Sequence, residues 1–140
     1  ATISIPSPFE STNFIDLYIT KSKCKTKVSI INGTPYIRPS VSIETRIISM
    51  SDDYKYLNEE NIDLIEKYAT KYVETYIYDY LYKTAKEFKS DISSFGRFIV
   101  SDFLTWDEWD KYNWLDNYQN SFFDLNVDVK VKSRYLIIDT

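Results

Sequence analysis

Between Glu59 and Lys89 the chain runs without a glycine or a proline. Apolar residues return there every three or four positions, at Ile62, Ile65, Ala69, Val73, Tyr76, Tyr80 and Thr84. That spacing predicts one stripe of a long amphipathic helix. Asn58 is placed to cap its first turn, and Glu59 and Glu60 suit the positive end of the helix dipole. At ~1.5 Å per residue the helix would be about 45 Å long. Ile77, Leu81 and Phe88 widen the stripe toward its C-terminal half. A helix of that length with one apolar side needs a broad partner.

Strand-like sequence supplies one. Phe14 to Thr20 reads as a first β-run and Lys25 to Ile31 as a second. Asn32-Gly33 follows, the pair that suits a type I′ hairpin turn because both central residues need positive φ. Pro35 to Met50 returns as a further strand. Val41, Ile43, Thr45 and Ile47 face one way there, and Ser42, Glu44 and Arg46 the other. Residues 1–13, with Pro6 and Pro8, read as a linker, leaving 14–140 as a single domain. Past the long helix, Ser90-Asp91 breaks the pattern, and Ile92 to Leu104 reads as a short helix or packed loop. Thr105 and Glu108 have capping-box spacing, which predicts a helix from Trp106 to about Phe122. Val127, Val129 and Val131 alternate with Asp128, Lys130 and Lys132 in a last, half-solvated strand. Strands first and helices afterwards predict an α+β fold. It would be a mixed or antiparallel sheet against the long helix, with shorter helices and the C-terminal strand returning to the sheet.

Composition narrows the chemistry. The 140 residues contain no histidine, which removes the commonest general base and zinc ligand. One cysteine, Cys24, permits no intrachain disulfide or structural zinc site and reads as a semi-buried small residue. Gly33 and Gly96 are the only glycines, too far apart for a phosphate-cradling loop. The net charge is −4 and the cations are spread along the chain, which speaks against nucleic acid and against direct adhesion to an anionic membrane. No apolar run approaches the ~20 residues of a membrane helix. The N-terminus has no signal-peptide pattern, so any anchor is expected outside this sequence.

Aromatics make up 17% of the chain, enough to require places beyond the core. Trp106, Trp109 and Trp114 fall within nine residues, and read either as an interaction patch or as helix packing on the core. Tyr68, Tyr72, Tyr76, Tyr78, Tyr80 and Tyr82 cannot all face one side of the long helix, so some lie at its flank. Asp107, Glu108 and Asp110 form the densest carboxylate group; a capped helix start with dipole-matched charges explains them ahead of a metal or acid/base pair, because the capping box accounts for Glu108 directly.

The segment Lys89-Ser-Asp91-Ile92-Ser-Ser-Phe95-Gly96, followed by an aromatic helical region, Phe122 and the strand Asn126 to Lys132, resembles the Ger(x)C family of spore germination lipoproteins. Lys21-Ser-Lys23, Lys27-Val28, Asn32-Gly33 and Val41 to Glu44 fit the front of its C-terminal domain. Ser94 stands where the family has the first glycine of its motif. The resemblance implies the C subunit of a nutrient-germinant receptor, lipid-anchored at the outer face of the spore inner membrane. It also implies two integral membrane partners, the A and B subunits. A non-catalytic domain that acts by protein assembly is the expectation, without cofactor or metal. Within the family motif, Asp91, Ile92, Phe95 and Gly96 are expected to be structural more than binding residues. A small-ligand module that binds the germinant is the alternative, and a two-carboxylate glycosidase a third class.

Overall fold

The stretch that reads as two separate strands is one. Phe14–Ile31 is a single 18-residue strand, β2, and runs through Lys21-Ser-Lys-Cys-Lys25 without a break. Lysine and serine in that stretch mask strand sequence, because a strand with a solvated side needs no apolar alternation there. The structure, a computed structural model, describes residues 2–53, 55, 57–86 and 106–132, without the side chains of Trp106, Glu108 and Asp110. Asn32 and Gly33 turn the chain with φ of 52° and 80°, the positive values a type I′ turn demands. β3, Thr34–Met50, returns alongside β2. Its odd positions Ile37, Ile43, Thr45 and Ile47 are buried throughout. In β2 the buried residues of its first part are Ile15 and Leu17, and Val28 and Ile30 near its end are half-buried against the aromatic core.

The segment expected as a linker is ordered. Thr2–Pro6 forms β1 and pairs antiparallel with β2, Ile5 opposite Ile15 and Ile3 opposite Leu17. Ile5, Ile15 and Leu17 are each fully buried, worth about 1.5–3 kcal/mol apiece. Between the two strands, Ser7 N–H donates to Asn13 O at 2.9 Å, and Phe9 N–H to Ser7 Oγ at 3.0 Å. The Asn13 side-chain amide donates to buried Asp52 Oδ1 at 2.9 Å. A five-residue strand ending in proline gives too few alternations to separate it from a Ser/Thr/Pro linker in sequence.

The long helix, α1, spans Glu59–Lys86. Asn58 caps it as expected: Asn61 N–H donates to Asn58 Oδ1 at 3.0 Å. The expected single helix from Trp106 to Phe122 is instead two, α2 (Trp106–Tyr112) and α3 (Trp114–Tyr118). Asn113 separates them in the left-handed region, φ 56° and ψ 72°, which asparagine tolerates better than most residues. Its side-chain amide donates to Asp116 Oδ2 at 2.6 Å. The short strand β4, Phe122–Phe123, then runs parallel to β3, Tyr36 beside Phe122 and Ile37 beside Phe123. β5, Asn126–Val131, also pairs with β3. The sheet is therefore mixed, with order β1-β2-β3-β4, and the C-terminal strand returns to it as the sequence predicts.

The chain forms two compact units, each discontinuous in sequence. The first comprises 1–23, 41–74 and 127–140; the second, 24–40 and 75–126. Among the described residues no helix is long and apolar enough to cross a membrane.

Candidate interaction site

The first unit is built around the N-terminal half of α1. Ile65, Ala69 and Val73 are its buried side chains. One position further along each turn, Glu66 and Thr70 meet the outer edge of β5. Val131 N–H donates to Glu66 Oε2 at 2.7 Å, and Val129 N–H to Thr70 Oγ1 at 3.2 Å. On the other side of β5, Lys132 N–H donates to Thr45 O at 2.7 Å and buried Thr45 Oγ1 donates to Lys130 O at 2.9 Å. An open edge strand would otherwise template pairing with other chains; here helix side chains occupy its donors. Beside them runs a groove of about 600 Å³ lined by Glu59, Ile62, Asp63, Glu66, Lys130, Val131 and Lys132. Carboxylates form its helix wall and lysines its strand wall. Lys132 also approaches Glu44 at 3.8 Å, an exposed pair of small energetic weight.

The second unit repeats the edge arrangement with phenols. Leu125 N–H donates to Tyr78 Oη at 2.8 Å, and Phe123 N–H to Tyr82 Oη at 3.3 Å. Glu66 and Thr70 in the first unit, and Tyr78 and Tyr82 in the second, are thus each a pair four residues apart on α1. The match is metric: four helical residues rise ~6 Å, close to two residues of extended strand. The core of this unit is aromatic. Ile37, Leu81, Ala85, Trp114, Tyr118 and Phe123 form a buried cluster, with Trp109 and Tyr112 packed against it. Phe123 meets Tyr82 edge-on at 5.0 Å and Tyr118 at 6.0 Å. Trp109 stacks on Trp114 with centroids 5.9 Å apart. Tyr112 Oη donates to Gly33 O at 3.0 Å, tying α2 to the hairpin turn. Burial raises the Tyr112 pKa above the ordinary phenol value.

The sequence-predicted residues are thereby distributed unevenly. Trp114 is only 7% exposed and belongs to the core, not to a surface patch. Trp109 is half-buried against it. The Trp106 side chain and all of Asp91, Ile92, Phe95 and Gly96 lie outside the described residues. So do the Thr105–Glu108 capping box and the side chains of Glu108 and Asp110; Asp107 is exposed. Cys24, expected to be semi-buried, is exposed instead, on a stretch of β2 that carries little apolar burial.

The structure shows which tyrosines of α1 form the exposed flank that the sequence implies. Tyr68 and Tyr72 in the first unit are 47% and 40% exposed; Tyr76 and Tyr80 in the second, 68% and 44%. Tyr76 and Tyr80 were expected on the buried stripe. The inward positions are instead Ile65, Ala69, Val73, Ile77, Leu81 and Ala85, every fourth residue. At 3.6 residues per turn such a row drifts about 40° per step around the helix. A straight stripe read from the sequence leaves it after two or three turns.

The family of spore germination B3/GerAC-like C-terminal domains matches residues 1–134. The chain belongs to that family. The crystal structure of the GerBC protein has the same fold as this GerAC-like domain, with a TM-score of 0.79 at 19% identity. The match covers 95% of this chain and 40% of the GerBC chain, so the domain spans less than half the length of that protein. No curated protein matches the chain. The family match includes Thr2–Pro6, consistent with β1 being part of the domain.

One titratable group of the GerAC-like domain gives a pH signature. Asp16 on β2 accepts from Ser49 Oγ on β3 at 2.6 Å and from Ser4, its register partner on β1. Those bonds, Ser49 first, hold its pKa below the ordinary aspartate value. A depressed folded pKa contributes stability above the unfolded value, lost as pH falls through the folded one. Asp16→Asn is therefore expected to flatten the acid limb of a Tm-versus-pH profile below about pH 4. Acid limbs of equal slope in both proteins would contradict that role.

Proposed function

We propose that the chain is a non-catalytic domain of a germinant-receptor C subunit, acting in spore germination by assembly with the membrane-embedded A and B subunits. Family membership supports the process. The observation that carries the assembly reading is the tyrosine flank of α1. Each unit presents a pair one helical turn apart, Tyr68 with Tyr72 and Tyr76 with Tyr80. Tyrosine supplies large, rigid, amphipathic contact area and is enriched in protein interfaces. In the full protein a lipid anchor outside this sequence would hold the domain at the outer face of the spore inner membrane.

A germinant-binding module is the rival. It calls for a concave, mostly apolar pocket with a few convergent polar groups. The groove of the first unit is lined mainly by charged residues, which favours the assembly reading. Replacing Tyr76 and Tyr80 by serine in the full-length protein tests it. Co-purification of the A and B subunits is expected to fall about tenfold, the loss of one or two interface anchors. The Tm of the domain should hold, since both side chains are exposed. Undiminished co-purification would count against this flank as the interface.

A further inference from the structure

On one face of the second unit's hairpin Lys25, Lys27, Ile31 and Arg38 are exposed, while the Ser29 hydroxyl among them is buried. A two-residue turn at Asn32-Gly33 sets Ile31 opposite Thr34, and next to the turn Ser29 opposite Tyr36 and Lys27 opposite Arg38; Lys25 is exposed further along the same strand. Val28, Ile30 and Ile37 point to the core, so these pairs point away from it. Phe122 joins them from β4, its ring 5.5 Å from that of Tyr36 and 55% exposed. Ile31 is 48% exposed on the same face. Lys25, Lys27 and Arg38 make no ion pair within 4 Å among the described residues, although Asp124 is exposed just past β4.

The adjoining strand edge is open as well. β1 pairs with β2 only as far as Tyr18, so Cys24–Ile31 has a strand neighbour on one side alone among the described residues. Such an edge offers a row of backbone donors and acceptors to an extended peptide. Side chains of an added strand would alternate with the same ~7 Å period as Lys25 and Lys27.

We propose that this face receives an extended acidic segment of a partner protein, added as a strand to the outer edge of β2. Carboxylates two residues apart would meet Lys25 and Lys27. An apolar side chain would lie against Ile31, Tyr36 and Phe122. The surface deepens the assembly reading and rests on it for its biological setting, not for its chemistry. An anionic lipid surface fits less well: it would leave the backbone edge unused, and the chain as a whole carries −4.

The probe is a short labelled peptide alternating Glu and Thr around one Phe, titrated into the chain by fluorescence anisotropy with hydrogen exchange in parallel. Saturable binding that protects amides within 24–31 is expected. It should weaken at least tenfold in the Lys25→Glu/Lys27→Glu variant, whose exposed positions leave the fold intact. Equal binding of a Lys/Thr analogue would overturn the proposal. So would protection elsewhere than 24–31, or preferential binding of phosphatidylglycerol vesicles with no peptide binding. In spores, full co-purification of the A and B subunits with the double variant would remove this surface and leave the assembly reading standing. No co-purification with the unaltered protein would remove the assembly reading, while the peptide titration still decides the surface.

Discussion

Phe123→Ala is expected to destabilise the protein by about 3–5 kcal/mol, the range for deleting a buried aromatic side chain. Phe123 is 2% exposed and sits where three parts of the second unit meet. Its backbone pairs with Ile37 in the parallel register of β3 and β4. Its ring meets Tyr82 of α1 and Tyr118 of α3 edge-on, the geometry that aligns the positive rim of one ring with the negative face of another. β4 has only two residues, so little ladder remains to hold it once that ring is gone. Chemical denaturation read by tryptophan fluorescence suits the test, because Trp109 and Trp114 stack in the same cluster. Phe122→Ala, one residue away and exposed, is the control and should cost less than about 1 kcal/mol. Equal losses for the two variants would contradict the packing described.

The second large effect concerns the phenols of α1. Tyr78 and Tyr82 accept from the N–H groups of Leu125 and Phe123. Replacing both by phenylalanine keeps the rings and removes only the acceptors. Each backbone donor left without a partner costs about 1–3 kcal/mol where water does not reach it. The pair is expected to lose roughly 2–4 kcal/mol together, less than additive if water enters, since the two rings also stack at 6.1 Å. Amide exchange at Phe123 and Leu125 should accelerate in step. Tyr80→Phe, on the exposed flank, should change neither. An unchanged Tm in the double variant, with both amides still protected, would show that other groups satisfy this edge.

Both effects rest on tertiary pairings, which marks the limit of what was legible in the sequence. The long helix, its Asn58 cap, the Asn32-Gly33 turn, the alternation of β3 and the valine strand are local patterns. Periodicity and turn chemistry suffice to read them. What failed depends on neighbours. Nothing at Tyr78 distinguishes it from Tyr76 until β4 and β5 lie alongside the helix. One phenol then accepts a backbone hydrogen bond and the other stands in solvent. The core-packing reading of the tryptophans holds for Trp114, but the break at Asn113, which separates α2 from α3, is what sequence could not show. β4 is too short for any alternation. β1 was hidden by Pro6 and by the hydroxyl residues around it. The lysines of β2, spread through a stretch read as a gap, gain their meaning only when the hairpin register brings Lys27 opposite Arg38.

The role proposed for the domain is assembly, and removal tests it most directly. Spores whose full-length gene lacks only the codons for this domain should be assayed for nutrient-triggered germination, with blots for the A and B subunits. The account predicts loss of the nutrient response together with depletion of both subunits. A normal response with both subunits at their usual level, in a strain carrying no second receptor for that nutrient, would contradict it.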